Sequence, residues 1–410
     1  MSAEHKLLAS SQARSASGIL PSAETFDYKH VGGRFVGLCV TALVTLLFSL
    51  ILGLANPHQF AFSWMFAGCF FFTILIGSLF WIIVHHAVDA AWSVGIRRQL
   101  ENISCLLPLL TLLLVPLLFV ASDLWTWMAL SPSTNHELAE KSAYLNVNFF
   151  WVRTVFYFLL FGVGALLLRR NSLAQDKDGK AIHTIRNRRV AYFLVPVGAI
   201  ALTFWSIDWI MGLNWKWNST IWGLYIFAGS VLSALCVIIL LSNSLRSAGY
   251  LKSVLTTQHN FAFGKLLLGF TLFWSWIAFV QYMLIWYANI PEESVYYVLR
   301  SSASWNVLGI ILVVGHFLVP FVLLLFRAPK ASAGFLGLVA GWILCMHLLD
   351  VYTMILPILH PEGFRPAVLD VVALLAIGCT LSAFFLKHLG DSPLWPSRDP
   401  RLAEAVNYID

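Results

Sequence analysis

Apolar runs of about 20 residues, the length that crosses a bilayer's hydrocarbon, recur ten times in this 410-residue chain and leave little choice of fold. They fall at Phe35–Leu54, Phe62–Val84, Ser104–Leu124, Phe149–Leu168, Val190–Met211, Thr220–Ser242, Phe263–Tyr287, Trp305–Phe326, Phe335–Pro357 and Ala367–Lys387. In hydrocarbon the backbone must satisfy its own N–H and C=O groups, so each run is expected to be a helix. The chain is therefore read as an all-α polytopic membrane protein. Its charge content agrees, at 11% Asp, Glu, Lys and Arg against roughly 25% in soluble domains.

Ten crossings return both termini to one side. That side, comprising the N-terminal arm, the even-to-odd loops and the C-terminal tail, holds 21 of the 26 Lys and Arg. The other side holds Lys141, Arg153, Lys216, Arg300 and Arg365. The positive-inside rule then predicts cytoplasmic termini, with the densest basic cluster between Arg169 and Arg189. The net charge of +6 is a topology signal, and no nucleic-acid partner is expected. The expected organisation is a cytoplasmic arm over 1–33, a ten-helix domain over 34–388 in contact with the lipid bilayer, and a cytoplasmic tail over 389–410. No cleavable signal peptide is expected, because the first 33 residues are polar and the first apolar run is long enough to span.

The six cysteines all lie in apolar runs, and none forms a CxxC or CxxCH. No iron–sulfur ligand set or c-type haem attachment is expected. No predicted helix carries two His at the spacing of bundle cytochromes, although His316 and His347 on neighbouring helices could meet. The chain is thus expected to bind no redox cofactor or metal itself, and a lipid quinone is the redox partner left open. No catalytic residue is assigned.

Polar side chains at membrane depth are costly unless they face protein or water. Phe270–Glu293, FTLFWSWIAFVQYMLIWYANIPEE, carries Gln281 and Tyr282, so its helix is expected in the packed interior. Asp208 in the fifth helix must be protonated, paired or facing water. Asp350 lies at similar depth in the ninth helix, with His347 three residues earlier on the same face, and His316 sits mid-way along the eighth. With Asp123, which closes the third helix, these are the candidate residues for a proton pathway. The alternative is interhelical hydrogen bonding without transport, or for Asp123 an interfacial position. At the inner end of the second helix, HHAVDAAWSVGIRRQLE places His85, His86, Asp89 and Trp92 on one helical face. Because His titrates near neutral pH, His85, His86 and Asp89 are candidates for cytoplasmic proton uptake. The alternative is a helix end whose polar groups meet lipid headgroups.

An internal echo joins SIDWIMGL in helix five to LLDVYTMIL in helix nine, four helices apart. It suggests two four-helix bundles, helices 2–5 and 6–9, in parallel orientation, with helices 1 and 10 outside them.

Several stretches carry a resemblance to a known family. The run FWSWIAFVQYMLIWYANIPEE resembles the signature segment of ActF, a membrane subunit of bacterial alternative complex III, within the NrfD/PsrC-like family of quinone-linked membrane proteins. The second-helix pattern of His, Ala-Trp-Ser, an Arg pair and Glu is similar to that subunit. So are FWSIDWIMGL with STIWGLYIFAGS, GHFLVPFVLLL around His316, and MHLLDVYTMILP. One departure is LNWKW after the helix-five Asp segment, where the family usually reads a DPHW-like sequence. The resemblance implies a bacterial inner-membrane subunit of a quinol-oxidising electron-transfer complex, with an NrfD-like pair of bundles and a proton pathway. It implies partners as well: an ActC-like NrfD paralogue, an iron–sulfur subunit and haem c subunits that hold the redox cofactors. Two other readings stand beside this one, a stand-alone ion-coupled secondary transporter using Asp208 and Asp350, and a chain that itself binds quinol through His347 and Asp350. The sequence has few of the discontinuous helices that transporters use to bind substrate.

Overall fold

The computed structural model describes residues 21–27, 32–301 and 303–409. Ten helices are long and apolar enough to cross a membrane: α1 (Gly32–Ala55), α2 (Pro57–Ala87), α3 (Val94–Leu124), α4 (Val147–Asp178), α5 (Ile182–Asn214), α6 (Trp222–Ser247), α7 (Thr257–Ala288), α8 (Ser304–Leu325), α9 (Ala333–Ile358) and α10 (Val368–Gly390). The described residues form no β-strand beyond one bridge between Thr25 and Pro393. The protein is a multi-pass membrane-embedded helical protein. The end carrying the C-terminal tail is called the near end below, and the opposite end the far end.

The central helix is α2. Its sequence, FAFSWMFAGCFFFTILIGSLFWIIV, offers no polar stripe, and a helix apolar all round is one that proteins bury. It packs against α3, α5, α6, α9 and α10. Helices α2 to α5 contact one another, as do α6 to α9, and the two sets meet along α2 and α6. Helix α1 packs chiefly on α10 and exposes Val36, Val40, Leu43 and Leu47. The expectation that α7 lies inside is corrected. It buries Thr271, Trp274, Ile277 and Gln281 on one side and exposes Trp276, Phe279, Met283 and Trp286 on the other. A single amide on one stripe is served by one buried face.

A second correction concerns α3. It begins at Val94, ten residues before the apolar run, and every residue of VGIRRQLENIS is buried. Polarity there reads as a helix end at the lipid headgroups because its partners lie far off in sequence. Arg97 pairs with Glu101 at 3.4 Å and with Asp399 of the tail, while Arg98 pairs with Glu101 at 3.4 Å and with Asp176 of α4. Arg401 donates from Nε to Asp399 Oδ1 at 3.0 Å and from Nη1 to Asp89 Oδ1 at 2.9 Å. Gln99 donates to the Leu394 carbonyl at 2.8 Å, and Leu394, Trp395 and Leu402 are buried. The tail is thus part of the near-end core. Of the expected arm over 1–33, only 21–27, 32 and 33 are described. The Glu24 carbonyl accepts from Leu394 N at 2.9 Å, so this piece of arm lies against the tail.

Burial alone would raise the Asp399 carboxyl, but the Arg401 and Arg97 guanidiniums outweigh it and hold Asp399 well below the usual carboxylate range. A depressed folded-state pKa gives stability that is present above the unfolded value, near 4, and lost as pH falls through the folded one. Asp399→Asn should cost about 3–5 kcal/mol, because it leaves two buried guanidiniums without their shared carboxylate. Thermal unfolding of the detergent-solubilised protein checks this. The wild-type transition should fall below about pH 4, and the variant, already lowered at neutral pH, should fall less.

Candidate functional site

The candidate residues divide into separate groups. In the first, Asp208 of α5 is locked. Arg153 of α4 donates from Nε to Oδ2 at 2.8 Å and from Nη2 to Oδ1 at 2.9 Å, and Tyr157 donates its hydroxyl to Oδ2 at 2.9 Å. The guanidinium also donates to the Tyr144 carbonyl at 3.1 Å and lies 3.9 Å from the Tyr144 ring centroid. This two-pronged pair, buried between adjacent helices, fixes α4 on α5. Of the three conditions open to Asp208, pairing is the one met.

Asp350 of α9 is held differently. Tyr225 of α6 donates its hydroxyl to Oδ1 at 2.6 Å, and the Trp274 indole of α7 donates to Oδ2 at 3.2 Å. Both donors are neutral, and no cation pairs with Asp350 among the described residues. The nearby far-end cation, Arg300, is turned to backbone. It donates to the carbonyls of Thr353 at 2.8 Å, Met354 at 2.6 Å and Tyr296 at 2.9 Å. Those first two carbonyls belong to the last turns of α9, where a positive charge is favoured.

His316 and His347 lie beside Asp350. The His316 ring stands 3.8 Å from the Trp274 ring and 6.4 Å from that of His347, centroid to centroid. His347 Nε2 meets Thr73 Oγ1 of α2 at 2.9 Å. Both nitrogens of His316 and Nδ1 of His347 are buried with no hydrogen-bond partner among the described residues. His316 sits in a π-helical turn, Val313–Leu318, inside α8. The cause is Pro320, which has no N–H for the carbonyl four residues back, at His316, and whose ring cannot follow an unbroken α-helix. The Trp342 indole takes up the Gly315 carbonyl at 2.7 Å. Gly229 of α6 lets the His347 ring approach, since a Cβ there would lie 3.0 Å from its Cε1.

Four candidates stand apart. Gln281 accepts from the Ser219 hydroxyl. Tyr282, next to it, turns to the outer surface against Tyr297. Asp123 lies at the far end, 3.7 Å from His58, with both side chains partly exposed. Asp208 is on the other set of helices. These positions do not join the Asp350 group into one line.

The near-end candidates are also rearranged. Helix α2 ends at Ala87, and Asp89 has φ +57°, so Asp89 and Trp92 do not continue the face of His85 and His86. Asp89 is partly exposed and is bound to Arg188 at 2.6 Å and Arg401 at 2.9 Å. His85 and His86 are buried, at 3% and 2% exposure, which excludes a surface contact with headgroups or bulk water. His85 lies between the Trp81 and Trp92 rings. Tyr408 of the tail packs against Trp92. Asn187 approaches His86 Nε2 at 3.5 Å, and the remaining ring nitrogens of both His have no partner among the described residues.

Sequence reasoning missed Arg153, Tyr157, Tyr225, Trp274 and Thr73. Arg153 had a signal: with Tyr157 it forms an i, i+4 pair on one face of an apolar run, and an intramembrane carboxylate requires a donor of that kind. No protein-family model matches the chain, and no curated protein matches it.

Proposed function

We propose that this chain is an integral subunit of a bacterial quinol-oxidising complex of the alternative complex III type. In this reading its near end faces the cytoplasm, its partners carry the haem c and iron–sulfur centres, and its α6–α9 helices carry a proton. The resemblance of the α5, α7, α8 and α9 stretches supports the quinol-linked part. The single observation supporting the proton part is the setting of Asp350, a buried carboxyl bonded only to a phenol and an indole. A carboxyl with no fixed counter-charge takes up a proton without breaking an ion pair, whereas Asp208 would have to give up Arg153. His347 and His316 supply nitrogens with no other hydrogen bond among the described residues, and an imidazole can accept a proton at one ring nitrogen and donate from the other. Thr73 extends this group onto α2. A transporter reading would need two equivalent carboxylates, and the Arg153 pair weighs against it.

The chain purified from native membranes should bring with it haem c and iron–sulfur proteins, identified by mass spectrometry. Recovery as a single-chain particle that transports a solute would overturn the subunit reading. In the assembled complex, Asp350→Asn should slow the movement of protons across the membrane by tenfold or more, the general range for a positioned proton-transfer group being about 10²–10⁴ in rate, while the protons that quinol sheds on oxidation are still released. Unchanged proton movement at unchanged turnover would overturn the proton part.

A further inference from the structure

We propose that the near ends of α4 and α5 form a binding site for an anionic phospholipid, with its phosphate held between Arg170 and Arg186. The two helices run antiparallel and are joined by a tight turn at Gly179, φ +70°. Across their seam Asn171 Nδ2 donates to Asn187 Oδ1 at 2.9 Å, so these two residues face each other. One step back along an α-helix turns the side chain by about 100°. Because the helices are antiparallel, the two turns carry Arg170 and Arg186 to the same side of the seam. One step forward carries Arg188 to the opposite side, and there it meets Asp89, on the turn that links α2 to α3, at 2.6 Å. The side bearing Arg170 and Arg186 is therefore the outer one, and both residues are exposed.

Neither guanidinium pairs with a carboxylate among the described residues, whereas Arg97, Arg98, Arg153, Arg188 and Arg401 all do. Beneath them the same outer surface is apolar, with Val163 and Leu167 on α4 and Phe193 on α5 exposed. The apolar run of α4 from Phe149 to Leu168 covers about 30 Å at 1.5 Å per residue, so Arg170 emerges at headgroup level. Arg186 lies four residues before the run of α5 begins at Val190. Two unpaired guanidiniums directly above an acyl-chain surface match a lipid with a negative headgroup; a soluble anion would have no use for the apolar strip. Basic pockets between membrane helices take anionic headgroups in this way.

The test uses the full chain, delipidated in detergent and titrated with phosphatidylglycerol or phosphatidylcholine, with the first bound lipid read by native mass spectrometry. Phosphatidylglycerol should bind more tightly, and Arg170→Gln with Arg186→Gln should weaken it on the order of thirtyfold, at ~1 kcal/mol per basic residue near the headgroup. Arg170→Lys with Arg186→Lys, which keeps the charge, should retain the preference, and Arg365→Gln at the far end should change nothing. Equal affinity in the wild type and the Gln variant would overturn the site. Displacement of the lipid by inorganic phosphate would overturn it in favour of a soluble anion. Protection of both arginines from phenylglyoxal in the native complex, persisting after delipidation, would overturn it in favour of a protein occupant.

Discussion

Asp208→Asn should prevent stable folding or leave a protein that survives only at reduced temperature, while Asp350→Asn should fold and assemble normally. The two residues occupy comparable places in SIDWIMGL and LLDVYTMIL, and from composition alone the substitutions look equivalent. Their partners separate them. Asn at 208 keeps the shape but removes the charge facing Arg153, whose guanidinium is buried among Tyr144, Phe149 and Tyr157. Removing one partner of a buried pair costs about 3–5 kcal/mol because it strands the other, a large part of a total stability of roughly 5–15 kcal/mol. Asn at 350 strands no charge, and its amide oxygen still accepts from Tyr225 or Trp274, so the loss is on the order of one hydrogen bond, about 1 kcal/mol. Thermal unfolding of the two variants in one detergent checks this. A loss at 350 as large as that at 208 would mean that Asp350 is tied to a cation, contrary to its contacts. Arg153→Gln with Asp208→Asn should recover part of the loss seen with Asp208→Asn alone, since the stranded charge is then gone.

The ten spans were legible because each is a long apolar run and a bilayer admits few alternatives. Interior and edge were less so. Gln281 drew attention to α7, yet its amide needs only Ser219 on one side, while α2 carries almost no conspicuous polar signal and is the hub. The near end was the least legible part. Arg97, Arg98 and Glu101 read as part of a helix end at the lipid headgroups, and the i, i+4 spacing of Arg97 and Glu101 does pair them. Their burial depends on Asp176, Asp399 and Arg401, which lie between 75 and 304 residues further along the chain, and no local pattern records such a pairing. Asp350 and His347 were identifiable as costly polar residues at membrane depth. That Asp350 rather than Asp208 lacks a counter-charge depends on where Arg153 and Arg300 point, which spacing does not encode.

Gly77→Ala should be among the most damaging single-methyl changes in the chain. Gly77 sits where α2 crosses α6, and a Cβ built there lies 1.9 Å from the Ser230 carbonyl oxygen, 2.5 Å from its carbon and 2.9 Å from Ala234 Cβ. The first two are backbone atoms, so no rotamer relieves them. Restoring ordinary contact near 3.4 Å requires the helices to part by ~1.5 Å. The seam has little room to give, because the Trp81 indole donates to the Val231 carbonyl at 3.1 Å and the Phe80 and Phe227 rings meet edge-on at 4.7 Å. Overpacking commonly costs about 1–3 kcal/mol where side chains can shift, and a backbone clash should reach or exceed the top of that range. Ala234→Gly removes only the third contact and should not rescue the variant. Gly269→Ala on α7, where a Cβ meets nothing within 4 Å, should be neutral or stabilising by up to about 1 kcal/mol through helix propensity. The yield of monodisperse protein and its unfolding temperature distinguish these outcomes. The same seam also positions the residues proposed to carry the proton, since Thr73 reaches His347 from α2 and Gly229 of α6 lies against the His347 ring. If any Gly77→Ala protein assembles, its helices have parted, the bond between Thr73 and His347 has lengthened, and proton movement across the membrane should fall further than electron transfer. Equal losses in both would separate that bond from the proton's route and leave the Gly77 seam a purely structural joint.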